Sequence, residues 1–299
     1  MKLVSYNIQY GFGTEGRYDL ARVADVVAGA DVIALQEVER HWSRTGFDDQ
    51  PELLMRLLPQ HHAVYGPAFD MDASLVDNGR VVNRRRQFGT MVLSRLPLVW
   101  SRLHALPKRR MIDPLNTQNA ALECMIRTPA GPIRIVSIHL AHVGVEERLE
   151  QIDHLMGLHR RAANEGGPWS GADDEPERNW TEGEPEPECP ATAIWMGDFN
   201  SEQGSAEHWR IIGDTPYHPG ARYHDGFSYA AIAAGIAPGT LHTHVKVIAG
   251  ETRRRQLDHC FVSSALAPRV RGVHADNGTI ASDHHPLWID IDLETAAAS

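Results

Sequence analysis

The chain has 299 residues, 42% hydrophobic and 23% charged, with 25 Gly, 18 Pro and 3 Cys. This excludes a disordered, collagenous or disulfide-stapled chain and is enough to bury a sizeable core. The net charge is −10, yet Asn164 to Pro190 alone carries −8 and leaves −2 for everything else, so local charge decides more than the average.

No apolar run reaches the length of a membrane span, and Met1-Lys2 leads straight into Leu3–Asn7 without the succession of a signal peptide. The expectation is a soluble, cytoplasmic protein. Cys124, Cys189 and Cys260 form an odd set without CxxC spacing, which points to neither a disulfide framework nor a thiolate zinc site.

In chain order, residues 3–8 read as a strand. Residues 19–29 read as a helix capped by Asp19, with Leu20, Val23, Val26 and Val27 on one face and Gly29 at the stop. A strand is predicted over 31–38, and further strands over 88–94, 120–126, 133–140, 193–197, 241–247, 256–262 and 287–291, separated by Gly, Pro and Asp turn signals. A second helix is predicted over 145–162, where Val145, Leu149, Ile152, Leu155 and Met156 share a stripe. Strands outnumber helices and helices fall between them, which suggests sheets packed face to face with helices outside. The segment at about 164–190 is acidic, Pro-rich and too polar to bury, so it reads as a surface insertion within a single domain over 1–299.

Six polar clusters sit at or just beyond strand ends, where a rigid scaffold can hold side chains toward one crevice. They are Asn7-Ile8-Gln9, Gln36-Glu37, His139, Asp198-Phe199-Asn200, Asp258-His259 and Ser282-Asp283-His284-His285. Each alone has an ordinary reading. Glu37 could be a solvated strand end, His139 a core histidine bonded to backbone, Asp198 to Asn200 an Asx-turn, and Asp283-His284 a turn entering the last strand. Together they have one chemical sense. Carboxylates at Glu37 and Asp283, with no thiolate, suit Mg²⁺ or Mn²⁺ rather than Zn²⁺. The histidines and Asn200 can donate to phosphate oxygens, leaving Asp198 as a base for water.

At these residues the chain resembles the endonuclease/exonuclease/phosphatase superfamily of metal-dependent phosphoesterases, which includes deoxyribonuclease, apurinic endonucleases and sphingomyelinases. The resemblance runs from SYNIQYG at 5–11 through LQEVE at 35–39, FGTMVLSRLP at 88–97, IVSIHLAH at 135–142, MGDFN at 196–200 and QLDHCFVS at 256–263 to SDHHPLW at 282–288. It implies an α+β fold, a four-layer αββα sandwich of two mainly antiparallel sheets flanked by helices. It implies that Glu37 binds the divalent metal, with Asn7 beside it as ligand or orienter and Asp283 a further metal-site carboxylate. Asp198 would activate water for in-line attack on a metal-bound phosphate, and Asn200 would position both. His139 resembles the phosphate-contacting or leaving-group donor and His284 the imidazole on the phosphoryl oxygens, with Asp258 holding its tautomer. Three positions depart from relatives: Gln9 stands where apurinic endonucleases carry an acid, Glu39 where deoxyribonuclease-like members can carry Arg, and His259 where many have Tyr. Glu39 is expected to repel a DNA backbone.

Three basic triplets, Arg84-Arg85-Arg86, Lys108-Arg109-Arg110 and Arg253-Arg254-Arg255, stand in predicted loops. Arg84, Arg86 and Arg255, with His242 of the His242/His244 pair, are the candidate substrate contacts. The partner expected is a phosphate ester, most simply a diester. A nucleic acid is the alternative, and a non-catalytic binding protein on the same fold a more distant one.

Overall fold

The structure is a computed structural model, and it describes residues 1–173, 175–213 and 223–294. Asp174 of the expected insertion, and positions 214–222 and 295–299 of the expected 1–299 unit, lie outside them. The strands are β1 (Lys2–Asn7), β2 (Val32–Arg40), β3 (His62–Asp72), β4 (Leu75–Asp77), β5 (Arg80–Val82), β6 (Arg85–Ser94), β7 (Leu98–Ala105) and β8 (Ala120–Thr128). They continue as β9 (Gly131–His139), β10 (Ala193–Asp198), β11 (Phe227–Tyr229), β12 (His244–Ile248), β13 (Glu251–Arg255), β14 (Asp258–Ser263), β15 (Val270–Ala275) and β16 (Leu287–Ile291). The α-helices are α1 (Leu20–Val27), α2 (Gln50–Leu57), α3 (Val145–Glu165), α4 (Ala206–Ile212) and α5 (Ala230–Ala233).

Two six-stranded sheets form, in the orders β15-β16-β1-β2-β6-β3 and β11-β14-β10-β9-β8-β7. Each is antiparallel except for one central parallel pair, β1 with β2 and β9 with β10. The fold is the four-layer αββα sandwich. Period-two alternation builds it. On β1 and β2, Leu3, Val32 and Ala34 join the core between the sheets, whereas Val4, Tyr6, Ile33 and Leu35 pack with Leu20, Val23 and Val27 of α1. On β9, Ser137 meets the first sheet, its hydroxyl taking a hydrogen bond from Gln36 Nε2 at 3.0 Å, while Arg134 turns the other way onto His159 of α3 at 2.9 Å.

This topology positions the site. The C-terminal ends of β1, β2, β9 and β10 lie at one end of the sandwich, and antiparallel β14 and β16 begin there. Gly197 allows the closest approach, because a Cβ at that position would fall 1.8 Å from the Ile138 carbonyl oxygen. The acidic segment after α3 rejoins the sheet at the opposite end, where Arg134 Nε donates to Pro190 O at 2.7 Å.

The predicted helices and strands form, with changes of extent: the strand expected from 241 begins only at His244 and that from 256 at Asp258, the strand expected from 88 begins at Arg85, and the helix expected to end at 162 runs on to Glu165. Strands β3, β4, β5, β7, β11, β13 and β15 and helices α2, α4 and α5 carry no clean sequence signal. In β3, Gly66 and Pro67 interrupt the pattern, and an edge strand tolerates them.

Candidate active site

Asp198 ends β10 at 2% exposure and is the hub of the cleft. Its Oδ2 accepts from Asn7 Nδ2 at 3.0 Å and lies 3.7 Å from His139 Nε2 and 3.8 Å from His284 Nε2. Its Oδ1 accepts from the Asn200 backbone N–H at 2.8 Å. Burial pushes this carboxyl up, but the charges of His284 and His139, helped by the Asn200 and Asn7 donors, outweigh it and hold the group below its ordinary value.

Glu37 reaches the same point by a backbone device. Alternation along β2 would turn it outward with Leu35, but the β2–β6 register shifts between Gln36 and Val38, and Glu37 takes φ 61°. The bulge re-aims the side chain into the cleft, where Glu37 Oε1 accepts from Asn7 Nδ2 at 3.0 Å. Gln9, Tyr10 and Asn200 also hold positive φ, so four residues around this cleft keep a backbone that L-residues rarely adopt. Asn7 acts as the orienter here: its amide nitrogen ties Glu37 to Asp198, and its Oδ1 accepts from the Gln9 N–H at 3.0 Å.

His284 is clamped. Its Nδ1 lies 2.7 Å from Asp258 Oδ2, and its N–H donates to Ser282 Oγ, which donates in turn to Asn7 O. Burial alone would lower the imidazole, but Asp258 and Asp198 raise it to about 10. Asp258, fully buried, is pushed up to about 6, desolvation outweighing the pull of His284. His244 packs edge-on against His284 with ring centroids 4.8 Å apart, and its Nε2 lies 3.8 Å from Asp283 Oδ2. Burial and the His284 charge lower His244 to about 4, which keeps it neutral.

The donor set fits a divalent cation. Glu37, His139 and Asp198 present ligand atoms all within 4.8 Å of one another, and Glu37 Oε2 is buried without a hydrogen-bond partner. Asp283 lines the same cleft but lies outside that close trio.

The cleft has a volume of about 610 Å³ and adjoins an outer cavity of about 970 Å³, the two sharing Gln9, Tyr10, Arg44, Lys246 and Asp283. The β12–β13 hairpin divides them by its alternation. His244 and its partner Arg255 face the catalytic cleft, whereas Val245 and its partner Arg254 face the outer cavity.

Of the expected substrate contacts, Arg255 lines the cleft. Arg86 lies over the Trp42 ring at 5.6 Å, and Trp42 lines it. Arg84 does not reach it, because its guanidinium donates to Phe47 O at 3.2 Å and covers the Phe47 ring. His242 lines only outer cavities. It precedes β12, so strand alternation does not carry it inward with His244.

Glu39 corrects the reading that it repels a nucleic-acid backbone. It is fully buried and spent on Arg44, Thr45 Oγ1 (2.8 Å) and the loop between them. Arg44, which no motif singled out, is thereby fixed over the Tyr10 ring at 3.8 Å and lines both cavities. Trp42, Phe69 and Phe88 add an aromatic wall ending at His139, with Phe88 and His139 ring centroids 6.2 Å apart. His259 is buried and braces the site from behind, bonding Tyr229 at 2.9 Å and Ser201 O at 2.8 Å.

The model of the endonuclease/exonuclease/phosphatase family matches residues 4–284. Among solved structures, an endonuclease/exonuclease/phosphatase from Beutenbergia cavernae superposes with a TM-score of 0.61 at 19% identity, over 100% of this chain and 73% of that one. The mannosyl-6-phosphatase of Bacteroides thetaiotaomicron gives 0.60 at 15%, over 97% and 99%. A D. rerio TDP2 in complex with a single-stranded DNA product gives 0.57 at 16%, over 97% of both chains. At these identities the likeness is one of fold. No curated protein matches the chain.

Proposed function

Because the chain belongs to the endonuclease/exonuclease/phosphatase family, we propose that it is a divalent-metal-dependent phosphodiesterase that hydrolyses its ester at Asp198. One observation carries the reading: side chains from three separate segments, the Asn7 amide and the His139 and His284 imidazoles, converge on the buried Asp198 carboxylate.

Asp198, kept ionised, takes the proton of the attacking water. Asn7 and the Asn200 N–H fix its two oxygens, so the base is oriented before substrate arrives. His284, kept cationic by Asp258, turns its Nε2 side to the same point and stabilises charge growing on the phosphoryl oxygens more than it stabilises the ground state. His139, on the other side of Asp198, would donate to the leaving oxygen. Glu37, with Asn7 orienting it and Asp283 on the same wall, would hold Mg²⁺ or Mn²⁺, which neutralises phosphate charge when bound. Two adjoining cavities with Arg44 and Lys246 shared between them suit both arms of a diester, where a monoester needs only one.

The wall of Trp42, Phe69 and Phe88 favours a second reading, a nuclease, since rings beside cations stack bases. The experiment is hydrolysis of bis-p-nitrophenyl phosphate, p-nitrophenyl phosphate, plasmid and single-stranded oligonucleotide with Mg²⁺ or Mn²⁺, an EDTA control and Asp198→Asn as blank. EDTA-reversible turnover of the diester above the monoester is expected. Rates that survive EDTA or Asp198→Asn would sink the assignment, and preference for nucleic acid would install the nuclease.

A further inference from the structure

We propose that Asn119 contacts the substrate and determines specificity, gripping a hydroxyl on the carbon next to the one that bears the scissile ester, so that the preferred diester is one of a polyol or sugar. The inference rests on the phosphoesterase reading and narrows its substrate class.

Loop 106–119 joins β7 to β8 and carries three amides, Asn116, Gln118 and Asn119. Two of them spend their nitrogens on the protein. Asn116 Nδ2 donates to both Glu147 carboxylate oxygens, at 3.0 and 2.8 Å, and Gln118 Nε2 donates to Leu106 O at 2.7 Å and Asn119 O at 2.9 Å. Arg109 ties the same loop to Glu146 and Glu150 of α3, and Gln151 Nε2 of that helix donates to Pro107 O at 2.9 Å. The loop is thereby fastened to α3.

The third amide is held in place and unused. Asn119 O also accepts from the Leu106 N–H at 3.0 Å, which fixes its backbone, yet its side chain makes no hydrogen bond among the described residues. Asn119 is 5% exposed, lines the catalytic cleft and keeps Oδ1 buried without a partner. Asn116 Oδ1 shares that lack but does not line the cleft. A buried amide left unpaired costs stability that nothing in the fold returns, and one that faces a substrate cleft is completed by the substrate.

Position and chemistry together name the group it takes. The β8–β9 register pairs Ala121 with Ile138, so Ala120 comes level with His139 and Asn119 stands one residue beyond. Neighbouring strands lie about 4.8 Å apart, so the amide reaches a group carried one carbon away from the oxygen to which His139 would donate. An amide offers two N–H donors and a carbonyl acceptor. A phosphate oxygen only accepts and an ammonium only donates, so either leaves one end of Asn119 unfilled. A hydroxyl does both. An adenine edge does both as well, but it lies several bonds from any ester oxygen, farther than the spacing of adjacent strands.

Three symmetric diesters, in which either arm can leave, test the proposal. Bis(2,3-dihydroxypropyl) phosphate has the hydroxyl, bis(3-hydroxypropyl) phosphate moves it one carbon away, and dipropyl phosphate lacks it. Hydrolysis with Mg²⁺ or Mn²⁺ is followed by phosphorus NMR in the parent, Asn119→Leu and Asn119→Ala, beside bis-p-nitrophenyl phosphate, and melting temperatures are taken without substrate. The parent's kcat/KM should be about tenfold or more higher for the dihydroxypropyl diester than for the other two, and that ratio should fall to near one in both variants. The melting temperature of Asn119→Leu should hold or rise, because a buried polar group without a partner has been removed, whereas an amide with a purely structural role would lower it. Should Asn119→Leu overpack and melt too low to assay, the ratio in Asn119→Ala decides. The proposal is overturned if the parent shows no preference among the three, or if the ratio survives loss of the amide. It also fails if a deoxyadenosine dinucleotide, which offers base edges and no such hydroxyl, is the diester that Asn119→Leu slows. Turnover of no diester at all would refute the phosphoesterase reading and this inference with it, whereas turnover without preference refutes this one alone.

Discussion

His284 Nδ1 sits 2.7 Å from Asp258 Oδ2 with both side chains buried, so the imidazole keeps its proton well past neutrality and presents a fixed positive edge to Asp198. Its value is raised from an ordinary 6.5 to about 10, so the stability it contributes is complete below pH 6.5 and is lost as the pH climbs through 10. Asp258→Asn removes the largest of the three raising charges and leaves Asp198 and Asp283 alone against burial. The His284 midpoint in the metal-free protein should then drop toward neutrality or below. Nitrogen chemical shifts followed against pH report it, and an unmoved midpoint would refute the clamp.

Glu37 and Asp198 share the Asn7 amide yet should separate by function. Asp198→Asn keeps the volume and an oxygen but cannot take a proton, so kcat should fall by about 10² to 10⁴ while added Mg²⁺ still raises the melting temperature. Glu37→Ala removes the carboxylate with the unpartnered oxygen, and that rise should vanish. For scale, metal at a hundred times Kd stabilises by about 2.7 kcal/mol. A scan in which Asp198→Asn loses the metal response while Glu37→Ala keeps it would reverse the two roles.

Much of this was legible in the chain because apolar alternation and terminal polar residues write strands and their ends directly. Asn7, His139 and Asp198 follow their strands' inward parity, so naming the strand names the direction. Glu37 does not: its parity with Leu35 points outward, and only the bulge and a positive φ bring it in. Arg44 was invisible for a different reason. It lies in a loop, and its place depends on Glu39, whose burial cannot be read from LQEVE. His242 and His244 look alike until the strand's first residue is known.

Glu39 therefore offers a test of loop organisation. Glu39→Ala strips the partners of Arg44 and Thr45 Oγ1 and leaves the Arg44 guanidinium free to leave Tyr10. The cost should be about 1 to 2 kcal/mol, modest because Arg44 is partly exposed. KM for a diester should rise with kcat little changed, since Arg44 lines the cavities and touches no reacting atom. Equal loss in kcat would place Arg44 at the chemistry instead.

Gly197 is the sharpest structural prediction, because the space it lacks is occupied by backbone rather than by a side chain that could swing away. A methyl group there would meet the Ile138 carbonyl at 1.8 Å, so β9 and β10 would have to part. The strands pair at His139 and Asp198, one residue beyond, so parting them moves the base away from the donor that faces it. Gly197→Ala should cost about 2 kcal/mol or more, toward the upper end for overpacking, and should lower kcat even where the protein remains folded. Denaturant unfolding and turnover, measured below the variant's own midpoint, separate the two effects. A variant as stable and as active as the parent would mean that the β9–β10 pair does not set the spacing of the site.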